Sequence, residues 1–432
     1  MSLLHAQSVE ATKSELDLFC VPPTQVSIEG GKWVHYKPLS SVQDQSTMEF
    51  VVPGRGDEYV DMAHTMLYLQ AQITKMDDSV LADDDEVGPV NNWIHSLFSQ
   101  VDVHLNQKLI SPAANTYAYR SYIESLLSYG PAAKQSHLTS ALYYQDTNDF
   151  NNLTENKGYL ERKKFTKNSK VVDMFSPIMC DIFNIDKFLL NEVEIRIKCV
   201  RSKDSFCLLG SDNGQFKVKI RDATLLVRKV KINPGILMLH AKELMKTPAR
   251  YPITRVETKV LTIPANVTTH SMDNVFLGIQ PRRLVLGFVL NKSFNGCAKL
   301  NPFKFDHFNI NFLSIYIDGE QIPSRPLEPD FSNGLYIQAY NTLFSGTGIH
   351  YQDEGNNISR SEYASGNTLF AFDLTSDMSG NVSSHWNMIR QGNLRIEVQF
   401  AGNLANPINC IAYAEFDSLI QIDSDRRVTC NF

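Results

Sequence analysis

Eleven histidines are the natural place to look for chemistry. A metal on a β-sandwich is usually gripped by an HxD/E pair plus a distant histidine, because residues i and i+2 project to one strand face. None of these histidines has Asp or Glu two residues on: His104 is followed by Leu105-Asn106, and His307 by Phe308-Asn309. HxH, HExxH, GxSxG, GxGxxG and the P-loop pattern are also absent. Carboxylates such as Asp61 and Asp373 occur, but spacing does not pair them in space. No catalytic residue, metal site or cofactor is expected, and the chain does not read as an enzyme.

Three clusters carry a plain reading beside a functional one. Arg55-Gly56-Asp57 is the tripeptide of integrin ligands, yet a glycine turn between two strands is the commoner use. Asp83-Asp84-Asp85-Glu86 lacks the spaced ligands and terminal Glu of an EF-hand and reads as a solvated loop. Lys157, Arg162, Lys163, Lys164, Lys167 and Lys170 crowd one stretch with only Phe165 interleaved, so an exposed loop is favoured over nucleic-acid contact.

The charge balance points the same way. With 41 basic and 47 acidic residues, the net charge of −6 leaves no excess to neutralise phosphates. The seven cysteines are scattered without CxxC spacing, which fits a reducing compartment during folding. Cys199 lies in an alternating run and reads as a small buried hydrophobe. No apolar run reaches bilayer length, and the N-terminus lacks a secretory pattern. The sequons at Asn152, Asn266, Asn291, Asn357 and Asn381 are therefore expected to be unused.

The elements themselves are written twice. Val101, Val103 and Leu105 alternate with polar residues, Pro112 and Asn115 break the pattern, and Tyr119, Tyr122, Ile123, Leu126 and Leu127 recur at helical spacing. Leu313, Ile315 and Ile317 then repeat the alternation, Ile322 stands for Ile110, and Tyr336, Tyr340, Leu343 and Phe344 match Tyr119, Ile123, Leu126 and Leu127. A second echo sets Val193, Ile195 and Ile197 against Leu394, Ile396 and Val398. A looser third sets DATLLV from Asp222 against FDSLIQI from Phe416. Echoes in one order imply two copies of one domain.

The expected architecture is all-β: two tandem eight-stranded jelly-roll sandwiches with short helices in the connecting loops. The expected divisions are an N-terminal arm over 1–46, a first jelly roll over 47–233, a linker helix over 234–250 and a second jelly roll over 251–432. Pro234 is placed to start the linker helix, and Thr247-Pro248 to stop it. In the mildly acidic arm, Trp33 and Tyr36 are large side chains to leave in water, so part of it is expected to dock on a protein surface. Residues alone stop at a tandem β-sandwich protein, with a carbohydrate- or ligand-binding module as one reading.

The chain resembles the double jelly-roll major capsid proteins (hexons) of Polinton/Maverick elements and adintoviruses. The motifs are VPPTQVSIE at 21–29, EYVDMAHTMLYL at 58–69, NNWIHSLFSQVDVHLNQKLIS at 91–111, NPFKF at 301–305, FDLTSDMSG at 372–380, RQGNLRIEVQF at 390–400 and AYAEFDSLIQID at 412–423. The resemblance spans nearly the whole chain. It implies a homotrimer of pseudo-hexagonal outline, tiling an icosahedral shell around double-stranded DNA. It also implies a penton or minor capsid protein as partner, no sequence-specific nucleic-acid contact, and residence in the virion after assembly in the host nucleus. The helices at 117–128 and 335–344 lie outside the strand ladders, so their exposed faces are candidate subunit contacts. Related elements encode an adenovirus-type maturation protease, and Ile28-Glu29-Gly30-Gly31-Lys32 fits its hydrophobic-x-Gly-Gly-x pattern. Gly30, Gly31 and Lys32 thus form a candidate cleavage site, because paired glycines pass a narrow cleft without side-chain clash. A simple Gly-Gly turn leading to Trp33 is the plainer reading.

Overall fold

The computed structural model describes residues 5, 7–42, 46–111, 114–211, 215–350, 355–382 and 384–430. The expected break at Pro112 lies outside the described residues. The first sandwich contains β1 (Ile28–Tyr36), β2 (Thr47–Val52), β3 (Glu58–Lys75), β4 (Phe98–Leu105), β5 (Lys108–Leu109), β6 (Val172–Pro177), β7 (Ile195–Arg201) and β8 (Phe216–Ile232). These pair as β1-β8-β3-β6 and β2-β7-β4-β5.

The second sandwich contains β9 (Ala249–Ile263), β10 (Thr269–Met272), β11 (Arg283–Leu290), β12 (Ile310–Ile317), β13 (Glu320–Leu327), β14 (Leu369–Asp373), β15 (Gln391–Phe400) and β16 (Ile408–Ile422). Its orders are β9-β16-β11-β14 and β10-β15-β12-β13. The two halves follow one and the same strand permutation, with antiparallel neighbours throughout. Each is built on eight strands in jelly-roll order, and inward residues of both sheets fill its core; Leu277–Ile279 and Val428–Cys430 add a short fifth strand to each sheet of the second, and Val87–Pro89 pairs with Leu208–Gly210 beside the first.

The echoes can now be set in register. Val103 stands opposite Ile197, and Ile315 opposite Ile396; all four are wholly buried. Ile110 donates its N–H to the Val103 carbonyl, as Ile322 pairs with Ile315. The second echo is therefore offset by two residues: Ile197 corresponds to Ile396, not to Val398. A period of two preserves the face but not the position. The third echo is no structural equivalence, for FDSLIQI closes β16 whereas DATLLV lies mid-strand in β8.

Two expectations need correction. Residues 28–36, assigned to the arm, are β1, paired with β8 from Ile28↔Ile232 to Tyr36↔Leu225. As an edge strand with Gly30-Gly31 inside it, β1 shows no clean alternation, and the first sandwich begins there rather than at 47. The basic stretch is not a loop but a helix over Lys157–Thr166, N-capped by the Asn156 side chain on the Tyr159 N–H.

Among the described residues, four helices of nine or more residues accompany the strands: α1 (Tyr117–Ser128), α2 (Lys157–Thr166), α3 (Pro234–Leu244) and α4 (Ile337–Ser345). Helix α3 joins the halves, with Asn233 capping it through the Gly235 N–H. It stops short of Thr247-Pro248, and β9 starts at Ala249.

Candidate assembly surfaces and the joint between the sandwiches

Helix α1 belongs to the first sandwich and packs against the second. Tyr122 stacks on Phe303 at 4.4 Å between ring centroids, tilted by only 7°, and Tyr119 stacks on Phe294 at 5.5 Å. Both phenylalanines lie in the β11–β12 connection, Phe303 within the NPFKF motif. Each such pair adds about 0.5–1.5 kcal/mol beyond its area burial.

Beside the aromatics runs a buried polar chain. The Arg120 Nε is 2.9 Å from Glu124 Oε1, and Arg120 also grips Asp181. The Tyr413 hydroxyl on β16 lies 3.3 Å from that Glu124 oxygen and 3.2 Å from Glu415. Glu415 in turn meets Arg283 on β11 at 3.2 Å. Burial pushes the Glu124 and Asp181 carboxyls above their ordinary values, with Arg120 pulling them back. The chain therefore holds as a unit, and removing one member strands the others.

The sheet side that α1 covers carries the rows Val256–Glu415–Arg283 and Thr258–Tyr413–Val285, every one buried or nearly so. On the matching sheet of the first sandwich, Leu67 and Leu69 point into the core. Their alternates Met66, Tyr68 and Gln70 stay half-exposed, as do Leu226 on β8 and Phe175 on β6. Lys37 lies exposed beside them, 2.7 Å from Asp222. Helix α4, the counterpart of α1, is bare where α1 is covered. Only Ala339 and Leu343 are buried, and Ile337, the position matching Arg120, is 46% exposed. The two expected contact helices thus part company: α1 is spent within the chain, and α4 presents a free face.

The other sequence candidates are scattered. Gly30 and Gly31 lie opposite Lys231 and Val230 in β1, beside an irregularity after Ile28, so the pair forms no turn. Lys32 reaches Glu58 at 2.6 Å. Tyr36 is half-buried with Lys229 Nζ 5.8 Å from its ring centroid, whereas Trp33 remains 50% exposed at the sheet edge. Only Tyr36, of the two arm-docking candidates, is docked on its own sandwich. Arg55-Gly56-Asp57 is exposed between β2 and β3, and Gly56 takes a φ of 91° that favours glycine.

Asp83 pairs with Lys167 and Asp85 with Lys75, so the acidic and basic clusters neutralise neighbours. Arg162 is fully buried on Asp146 at 2.7 Å. Among the described residues no group of three or more His, Cys, Asp or Glu is placed to hold a metal, and no helix is long and apolar enough to cross a membrane. Sequence reasoning passed over Arg120, Glu124, Asp181, Tyr413 and Glu415. The one local signal was an Arg–Glu pair at i,i+4, which ordinarily marks a solvated helix face.

No family model matches the chain. An uncharacterized protein of Caenorhabditis elegans is 26% identical over 416 residues, 93% of this chain and 97% of that protein. Among solved structures, a chain of the Sputnik virophage aligns over all of this chain and 94% of its own, with a TM-score of 0.68 at 12% identity. The mavirus major capsid protein aligns over 100% and 97% with a TM-score of 0.56 at 13% identity. The Faustovirus major capsid protein aligns over 93% and 92%, with 0.58 at 9% identity. Matching strand orders in both halves, joined by one helix and aligned end to end with these proteins, give this chain the fold of the double jelly-roll major capsid proteins.

Proposed function

We propose that the chain is a structural major capsid protein, without catalytic activity, whose homotrimers of pseudo-hexagonal outline tile an icosahedral shell around double-stranded DNA. The carrying observation is the unequal covering of equivalent surfaces. Glu124 of α1, its cap Thr116 and Asp181 meet the outer sheet side of the second sandwich at Tyr413, Thr258 and Val256, whose rows are buried or nearly so, while the same side of the first sandwich and the face of α4 stay partly exposed. The α4 of one copy then covers the first sandwich of the next, repeating between chains the contact made within one. Such a contact joins two different surfaces, so it is heterologous and closes into a ring when its rotation permits. Three chains present six sandwiches, the unit that hexagonal tiling requires.

In this reading the partners are further copies and a penton or minor capsid protein, the location is the virion, and assembly proceeds in the host nucleus. Gly30, Gly31 and Lys32 remain a proposed processing site, one that a protease reaches only after β1 leaves β8. A tandem carbohydrate- or ligand-binding protein is the alternative, and no specific observation favours it. Size-exclusion with light scattering, followed by negative-stain imaging, tests the proposal. Three-chain particles of hexagonal outline are expected. A folded chain that stays monomeric at micromolar concentration overturns it.

A further inference from the structure

Helix α3 joins the sandwiches yet buries none of its residues. Ile236, Leu237 and Leu244 lean on the body, while Met238 (74% exposed), Leu239 and Met245 face water. Between helix and body runs a groove of about 580 Å³ with Ile28, Tyr59, Phe188, Ile232 and Tyr251 in its walls. Tyr59 and His240 bridge it, hydroxyl to Nδ1 at 2.9 Å with the rings stacked. Apolar surface gathered on a groove and on the helix beside it marks an interaction site.

The chain carries a segment that fits. Residues 7–27 leave the sandwich at Ser27 and Ile28, in the groove's own wall. Their Val9, Leu16, Leu18, Phe19 and Val21 are all exposed, Phe19 to 94%. Charge does not oppose the fit: Glu10, Glu15 and Asp17 outnumber Lys13 in the segment, while Lys187 and Arg250 in the groove wall balance Asp186 and Glu243. The Gln25 side chain accepts from the Ile28 N–H (2.8 Å) and donates to the Ile28 carbonyl (3.2 Å), which ties the end of the segment to the start of β1. Exposed as they are, the apolar side chains of the segment leave the groove of their own chain unfilled. An extended run of about 20 residues spans up to ~70 Å, more than the ~40 Å width of one sandwich, so a neighbour is within reach.

We propose that the 7–27 arm of one copy docks in the α3 groove of a neighbouring copy, setting its Leu16, Leu18 and Phe19 against Met238, Leu239 and the apolar wall. This rests on the self-assembly reading and adds the surface through which copies are tied. Cys20 is exposed in the arm, whereas Cys180, Cys199, Cys207, Cys297 and Cys410 are buried. Leu239→Cys, with Met245→Cys as a second position, is treated with a short bismaleimide on the assembled protein. The expected product is a two-chain band that the Cys20→Ser background abolishes. Cys20 joined to residue 239 or 245 within one chain overturns the proposal, as does an absence of any Cys20 link at both positions in particles that light scattering shows to be assembled. A chain that does not assemble at all refutes self-assembly and this docking together, and light scattering reports that outcome separately.

Discussion

Asp181 Oδ1 stands 2.6 Å from Arg120 Nη2 and accepts the Val256 N–H at 3.2 Å. One buried carboxylate thereby ties α1 of the first sandwich to β9 of the second. With the Tyr413–Glu124 contact beside it, the joint is polar at its centre and aromatic at its flank. Polar groups so placed are sensitive to position in a way that apolar packing is not.

Arg120→Met is expected to destabilise the chain by about 3–5 kcal/mol, because Asp181 and Glu124 are left buried without their counter-charge. Adding Asp181→Leu should lose less than the sum of the two single losses, as expected for coupled residues. Urea unfolding of the four proteins measures both quantities. Additive losses would show that the pair is not coupled.

Ile337→Asp should leave the fold intact, since the side chain is already 46% exposed, yet convert the proposed trimer to monomer. Met378→Asp, at a 67% exposed position outside α4, is the control and should keep the mass of the unaltered protein. Light scattering reads the mass of each. Loss of assembly in both would make the effect one of net charge rather than of the α4 face.

Lys134 donates to the Leu126 carbonyl and the Asn357 side chain, each at 2.8 Å, and burial lowers its pKa to about 8 despite the nearby Glu362. Between that value and the ordinary lysine range the unfolded chain binds the extra proton. Stability should therefore rise with pH from about 8 upward, by at most about 1.4 kcal/mol per pH unit. Lys134→Met should flatten that rise. Thermal melts from pH 7 to 10 compare the two proteins, and parallel curves would mean that Lys134 keeps its proton.

Trypsin should cut the exposed arm at Lys13 well before Lys32, whose strand is paired along β8 and whose ammonium is engaged by Glu58. Mass spectrometry of a time course gives the order. Equal rates would mean that β1 opens readily, and would make Gly31–Lys32 accessible to a maturation protease in the folded protein.

Much of this fold is written in the sequence. Alternation at Val101, Val103 and Leu105, repeated at Leu313, Ile315 and Ile317, is enough to declare two copies and to name which residues face the core. It does so because a half-buried strand must place apolar groups at every second position. Longer-range facts were not recoverable. Strand β1 escaped because an edge strand with Gly30-Gly31 need not alternate, and the second echo slipped by two because a period of two defines parity alone. The helical spacing of α1 and α4 declared an apolar face on each without saying what covers the other side. Only the tertiary structure decided that α1 is enclosed by the second sandwich while α4 is left open. Asp181, which grips Arg120, and the β16 residues Tyr413 and Glu415, which join it through Glu124, are distant in the chain, and proximity created by folding has no local signature.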